Sequence, residues 1–148
     1  MNEVNERFLF RGKREDNGEW VEGFLSKSRG ENKQLELCID HEEKGVMCSS
    51  IVIPETVGQC TGLKDKNGKL IFTGDILESR ASENKEDWKK WVVTFSDGSF
   101  CFEREIPRKR KYKYEQNLLG IDNIELYGLT VIGNIHDNPK LLQRSDKK

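Results

Sequence analysis

The sequence has no apolar run approaching the ~20 residues that a helix needs to cross a bilayer. Its first eleven residues hold no apolar segment of signal-peptide length, so the expectation is a soluble chain in the cytoplasm of its cell. Charge of one sign is missing too: 25 Lys and Arg stand against 26 Asp and Glu, for a formal net charge of −1. A dedicated nucleic-acid binder carries a net basic field, and this chain has none. Cysteine is sparse. Cys38, Cys48, Cys60 and Cys101 form no CxxC pair, which excludes a dense disulfide framework. Cys38, His41, Cys48 and Cys60 have ligand-type side chains, but their spacing matches no common zinc module, so no metal and no cofactor are expected. Apolar residues make up 34% of the chain and charged residues another 34%. A core is still within reach for 148 residues if the apolar positions alternate along strands.

They do alternate. Arg7–Arg11 sets Phe8 and Phe10 against Leu9, and Gln34–Asp40 sets Leu35, Leu37 and Ile39 against Gln34, Glu36 and Cys38. Glu19–Lys27, Trp91–Phe95, Phe100–Glu103 and Gly128–Ile135 read as further strands, with Trp91, Phe95, Phe100 and Phe102 supplying aromatic mass. Turn signals fall between them at Asp16-Asn17-Gly18, Asp65-Lys66-Asn67-Gly68 and Ser96-Asp97-Gly98-Ser99. Asn67-Gly68 is the pair that favours a two-residue type I′ hairpin. His41–Lys44 and the charged stretch Glu78–Lys90 read as loops, and Glu115–Leu126 as a short helix followed by an irregular link. The count of nine or ten short strands at hairpin spacing predicts a mainly β protein.

Candidate sites are few, and each competes with a purely structural explanation. Thr61–Gly68 is rich in Gly, Lys and Asp like a phosphate-binding loop, but lacks the Gly-Lys-Ser/Thr order and a following helix. Asp75 beside Gly74 has the position of a residue that caps backbone groups at a turn. His136 and Asp137 are neighbours on an extended chain, so their side chains point apart. With His41, these are the only candidates for acid–base chemistry, and no catalytic residue is assigned. Arg108, Lys109, Arg110, Lys111, Tyr112, Lys113 and Tyr114 form the one strongly biased segment. Five cations could meet phosphates and two tyrosines could stack on bases, but Glu103, Glu105 and Glu115 flank the run and a solvated connection is favoured.

Val21-Glu22-Gly23-Phe24, Ile53–Asp75 (IPETVGQCTGLKDKNGKLIFTGD), Val93-Thr94-Phe95 and Val131–Leu142 (VIGNIHDNPKLL) together resemble the YopX-like family of phage and prophage proteins. The segments lie in order and span most of the chain; Cys60, where an aromatic or similar residue is expected, is a minor departure. The resemblance implies an irregular, coiled β-sheet over residues 1–73 and a small SH3-like β-barrel over 74–148. It transfers no activity, cofactor or catalytic set. The expected function is therefore that of a phage-encoded accessory protein acting as a non-catalytic interaction module. Its partner would be a phage or host protein, or a second copy of itself. Nucleic-acid binding through 108–114 is the alternative.

Overall fold

The computed structural model describes residues 5–80, 82–85, 88–105, 114–118 and 128–143. Every strand pairing in it is antiparallel, and the mainly β class expected from the alternation is what is found. The strands are β1 (Phe10–Lys13), β2 (Trp20–Arg29), β3 (Leu35–Glu43), β4 (Val46–Ile51), β5 (Gly58–Lys64) and β6 (Leu70–Phe72). They continue as β7 (Asp75–Ser79), β8 (Lys90–Ser96), β9 (Ser99–Glu105), β10 (Tyr114–Leu118) and β11 (Leu129–Asn134). The first six lie in the order β4-β3-β2-β1-β5-β6, and the last five in the order β10-β9-β8-β7-β11. The chain divides into two compact units, Met1–Gly62 and Leu63–Lys148. The sequence-based seam at Gly74 falls in the turn between β6 and β7.

In the first unit β2, β3 and β4 are successive hairpin partners, and the register Cys38↔Ile51 to Glu43↔Val46 leaves only Lys44-Gly45 in the turn. Both turn residues have positive φ, 50° and 80°, the type I′ geometry whose twist matches that of the flanking strands. The strand thus runs on through His41–Glu43, which the charge of those residues had marked as loop. The end of β4 then folds back to the end of β1. Val52 bridges Arg14, the Glu15 N–H donates to the Ile51 carbonyl, and the Ile53 N–H donates to the Lys13 carbonyl. Near this return Thr56 accepts from the Lys13 N–H at 2.9 Å. The buried apolar residues here are small or few: Cys38, Ile39, Val52 and Cys60. Phe8, placed on a strand by its alternation, lies instead in a 3-10 turn over Glu6–Phe8 and is exposed.

The second unit has the larger core. Ile71, Leu77, Trp91, Val93, Phe102 and Leu129 pack together, with Leu63 and Val131 against them. β7, β8 and β9 form a meander in which Leu77 lies opposite Trp91 and Val93 opposite Phe102. The rings of Trp91 and Phe102 are 6.5 Å apart. Phe95 and Phe100, expected to add to this mass, meet edge-on at the hairpin tip, where Phe95 is exposed. Glu78 and Ser79 are buried within β7 rather than in a loop, and Arg80 Nε donates to Glu78 Oε1 at 3.0 Å. The helix expected at Glu115 is also corrected: Tyr114–Leu118 is a strand paired with Cys101–Glu105. Among the described residues no pairing joins β10 to β11.

Each fully buried aliphatic side chain of this core stabilises by about 1.5–3 kcal/mol through area removed from water. Leu77→Ala, at the centre of the cluster, is expected to cost about 3 kcal/mol in urea unfolding, because the cavity adds to the lost transfer energy. Leu35→Ala, on an exposed position of β3, is expected to change stability by less than about 0.5 kcal/mol.

Candidate functional site

The Gly-rich stretch Thr61–Gly68 resolves into hairpin chemistry. Asn67-Gly68 is not a type I′ pair, since only Gly68 has positive φ, at 80°. The Gly68 N–H donates to the Asp65 carbonyl and the Asp65 N–H to the Lys69 carbonyl, which makes a type I turn followed by a left-handed glycine. Asp65 is buried, and its carboxylate takes up three backbone donors. Oδ1 accepts from the Asn67 and Lys69 N–H groups, each at 2.9 Å, and Oδ2 accepts from the Val131 N–H at 2.9 Å. The Lys66 N–H adds a bond to the Leu129 carbonyl. The turn that most resembles a ligand loop is therefore bonded to its own chain. Its acidic residue holds the outer edge of β11.

Asp75 follows the same logic. It is 1% exposed, and its Oδ2 accepts from the Phe72 N–H at 2.8 Å across the β6–β7 turn. β11 ends opposite it, with Asn134 paired to Asp75 and the Ile135 N–H donating to the Gly74 carbonyl. The candidates Asp75, His136 and Asp137 are thus brought to one end of the β7–β11 pair, while His41 belongs to β3 in the other unit. What holds the His136-Asp137 turn is the side chain of Asn134. Its Oδ1 accepts from the His136 N–H at 3.0 Å and the Asp137 N–H at 2.9 Å. Asn138 Oδ1 returns to the Asn134 N–H at 3.2 Å. Gly133 makes room for it, since a Cβ there would lie 2.5 Å from that oxygen. The backbone N–H groups of His136 and Asp137 are used by the turn.

The cysteines and His41 are likewise spread out. His41 Nε2 is 2.8 Å from Ser50 Oγ, a cross-strand bond between β3 and β4. All four cysteines are free thiols, with Cys38, Cys60 and Cys101 buried and Cys48 half-buried. Among the described residues no group of three His, Cys, Asp or Glu could hold a metal ion. Burial, with the charges of Asp40 and Glu36 behind it, pushes the Cys38 thiol up from its ordinary range. Of the basic segment, 108–113 lies outside the described residues, and Tyr114 opens β10.

The comparisons with known proteins agree with one another. A family model described as YopX protein matches residues 9–143. A crystal structure of protein EF1440 from Enterococcus faecalis is similar at 27% identity and a TM-score of 0.53, covering 90% of this chain and 96% of that one. The crystal structure of protein yopX from Bacillus subtilis, at 21% identity, shares the fold with a TM-score of 0.51 over 93% of this chain and 98% of that one. No curated protein matches.

Two groups of outcomes are expected. Asp65→Ala strands the part-buried N–H of Val131 together with two turn donors, and should cost about 3–4 kcal/mol in denaturant unfolding, since bonds to a charged acceptor run about 1.5–3 kcal/mol each and do not add fully. His136→Ala, which leaves every backbone bond of its turn in place, should cost less than about 1 kcal/mol. The second concerns Cys38. The fold disfavours its thiolate, so the unfolded chain releases the proton first as pH rises. Stability from this group is complete below the ordinary thiol pKa and is lost as pH climbs from there toward the raised folded value. Cys38→Ala should flatten that part of the stability–pH curve measured by urea unfolding, and Cys48 should be labelled by a thiol reagent before the three buried cysteines.

Proposed function

The chain belongs to the YopX family, and from that premise we propose that it is a phage- or prophage-encoded accessory protein that works as a non-catalytic protein-interaction module in the bacterial cytoplasm. The SH3-like closure of residues 74–148 is part of the same reading. The observation that carries it is the apolar surface that the first unit leaves exposed. Among the described residues seven exposed large apolar side chains belong to it: Phe8, Phe24, Leu25, Leu35, Val46, Met47 and Ile51. Leu35, Val46 and Met47 are the most exposed of these, at 64%, 63% and 64%. Apolar area left outside in this way is what association surfaces have to offer. The polar residues that could have argued for chemistry, Asp65 and Asp75, are instead bonded to backbone N–H groups of their own turns. SH3-like and other small β folds host many functions, so the site rather than the fold has to carry the assignment.

The test is affinity capture of the tagged full-length chain from phage-infected cells, with identification by mass spectrometry. A defined protein should be retained by the wild type and lost with Leu35→Glu, whose unfolding midpoint stays that of the wild type. Retention of no protein, with turnover of any substrate by the pure chain, would overturn the reading.

A further inference from the structure

β4 is an edge strand, and among the described residues it carries none of the usual protection. Its sequence, Val-Met-Cys-Ser-Ser-Ile, has no charge and no proline, and Val46, Met47 and Ile51 are exposed. Natural sheets guard such edges with charge, proline, bulges or cover, because a row of outward N–H and C=O groups templates another strand.

The hydrogen-bond pattern shows which groups these are. The Val52 N–H donates to the Leu37 carbonyl, and that pair continues the β3–β4 register of Cys38↔Ile51. Bonded and non-bonded pairs alternate in an antiparallel ladder, so Ser50, Cys48 and Val46 bond inward to β3. Met47, Ser49 and Ile51 then turn their backbone groups outward. The outward Ile51 carbonyl is already taken by the Glu15 N–H. No described residue pairs with the outward groups of Met47 and Ser49. The free edge therefore runs from the turn at Gly45 to the Glu15 bond, which is Val46–Ser50, a stretch centred on Cys48.

We propose that this edge pairs with the same edge of a second copy, in an antiparallel two-fold arrangement centred on Cys48. The proposal rests on the interaction-module reading and names one partner for it. A two-fold axis that makes two identical strands antiparallel stands perpendicular to the sheet, so each residue lies opposite one on its own face. Centring on Cys48 meets that condition and sets Met47 opposite Ser49 of the second copy, twice. Those are bonded pairs, so all four outward groups of each copy are satisfied by four hydrogen bonds. Cys48 then faces Cys48 as a non-bonded pair, and Met47 lies diagonal to the exposed Ile51 of the second copy on the same face. The stretch contains no charge, so self-pairing sets no like charges opposite one another within it. At each end Glu43-Lys44 of one copy comes beside Arg14-Glu15 of the other, a mixture of signs on both sides. An identical strand fills the free edge from end to end, and this favours a second copy over an unrelated peptide.

The experiment uses the full chain. Light scattering over micromolar to millimolar concentrations should give twice the chain mass. Met47→Lys, an exposed position where added charge leaves the β3–β4 bonds intact, should weaken dimerisation by roughly tenfold or more with an unchanged unfolding midpoint. The non-bonded pair brings the two Cys48 Cα atoms to ~4.5 Å, within the range a disulfide spans. Diamide, which takes two electrons and two protons from a thiol pair, should then give a covalent dimer whose linked peptides both contain Cys48. Cys48→Ser should abolish that band, and Met47→Lys should slow its formation. A monomer at all concentrations overturns the proposal, as does a dimer that Met47→Lys leaves intact and diamide does not link through Cys48. A monomer that still captures a partner from infected cells sinks the self-pairing alone. A chain that neither dimerises nor captures any protein sinks the interaction reading with it.

Discussion

One buried carboxylate organises the second unit. Asp65 sits at the head of a three-residue turn, and a free carboxylate there would be costly to remove from water. It is stabilised because three N–H groups converge on it, two from its own turn and one from Val131. The arrangement works in both directions. The turn gains a fixed shape from Oδ1, and β11 gains a partner for an N–H that faces away from β7. Leu129 and Val131 are thereby set against Leu77 and the rest of the apolar cluster. The polar and apolar parts of this unit depend on each other through that side chain.

The same residue illustrates how differently the edges of the two units are treated. β11 is an edge strand whose outer side is capped by the Asp65 turn. β4 is capped only where its end returns to Arg14 and Glu15. Between that return and its hairpin turn, no described strand pairs with the outer side of β4, and the stretch is uncharged. A fold that spends an acidic residue to close one edge while leaving another bare has the means of protecting edges and does not use it everywhere.

Much of this architecture was legible in the sequence, because alternation and turn residues are local. Leu35, Leu37 and Ile39 mark β3, Trp91 and Val93 mark β8, and Asp97-Gly98 marks the hairpin between β8 and β9. Failures came where strand pairing overrides composition. His41–Glu43 looks like a charged loop but is held in the ladder opposite Val46–Cys48. Glu78 looks solvated but is buried opposite Thr130 and beside Arg80. Glu115–Leu118 has a helical mix of residues but pairs with β9. The structural role of Asp65 was half legible: its turn is written in Asp-Lys-Asn-Gly, whereas its bond to Val131 joins residues 66 positions apart. The edge at β4 left a weaker trace, the uncharged run Gly45–Pro54, whose exposure no periodicity reveals.

That separation of 66 residues also bears on how the chain is made. β2, β3 and β4 are neighbours in sequence and can pair as soon as each hairpin is complete, as contacts of low sequence separation do. The β7–β9 meander is equally local. β11 is different, because it must return to β7 and to the Asp65 turn after the intervening strands have been synthesised. Until Val131 is available, a growing chain presents β7 with one side unpaired and the Asp65 carboxylate short of its third donor. On a ribosome adding some 5–20 residues per second, that interval is on the order of seconds. β11, the last of the described strands, completes the pairing of β7, and until it is made the nascent chain is at its most exposed to proteases and to misassembly.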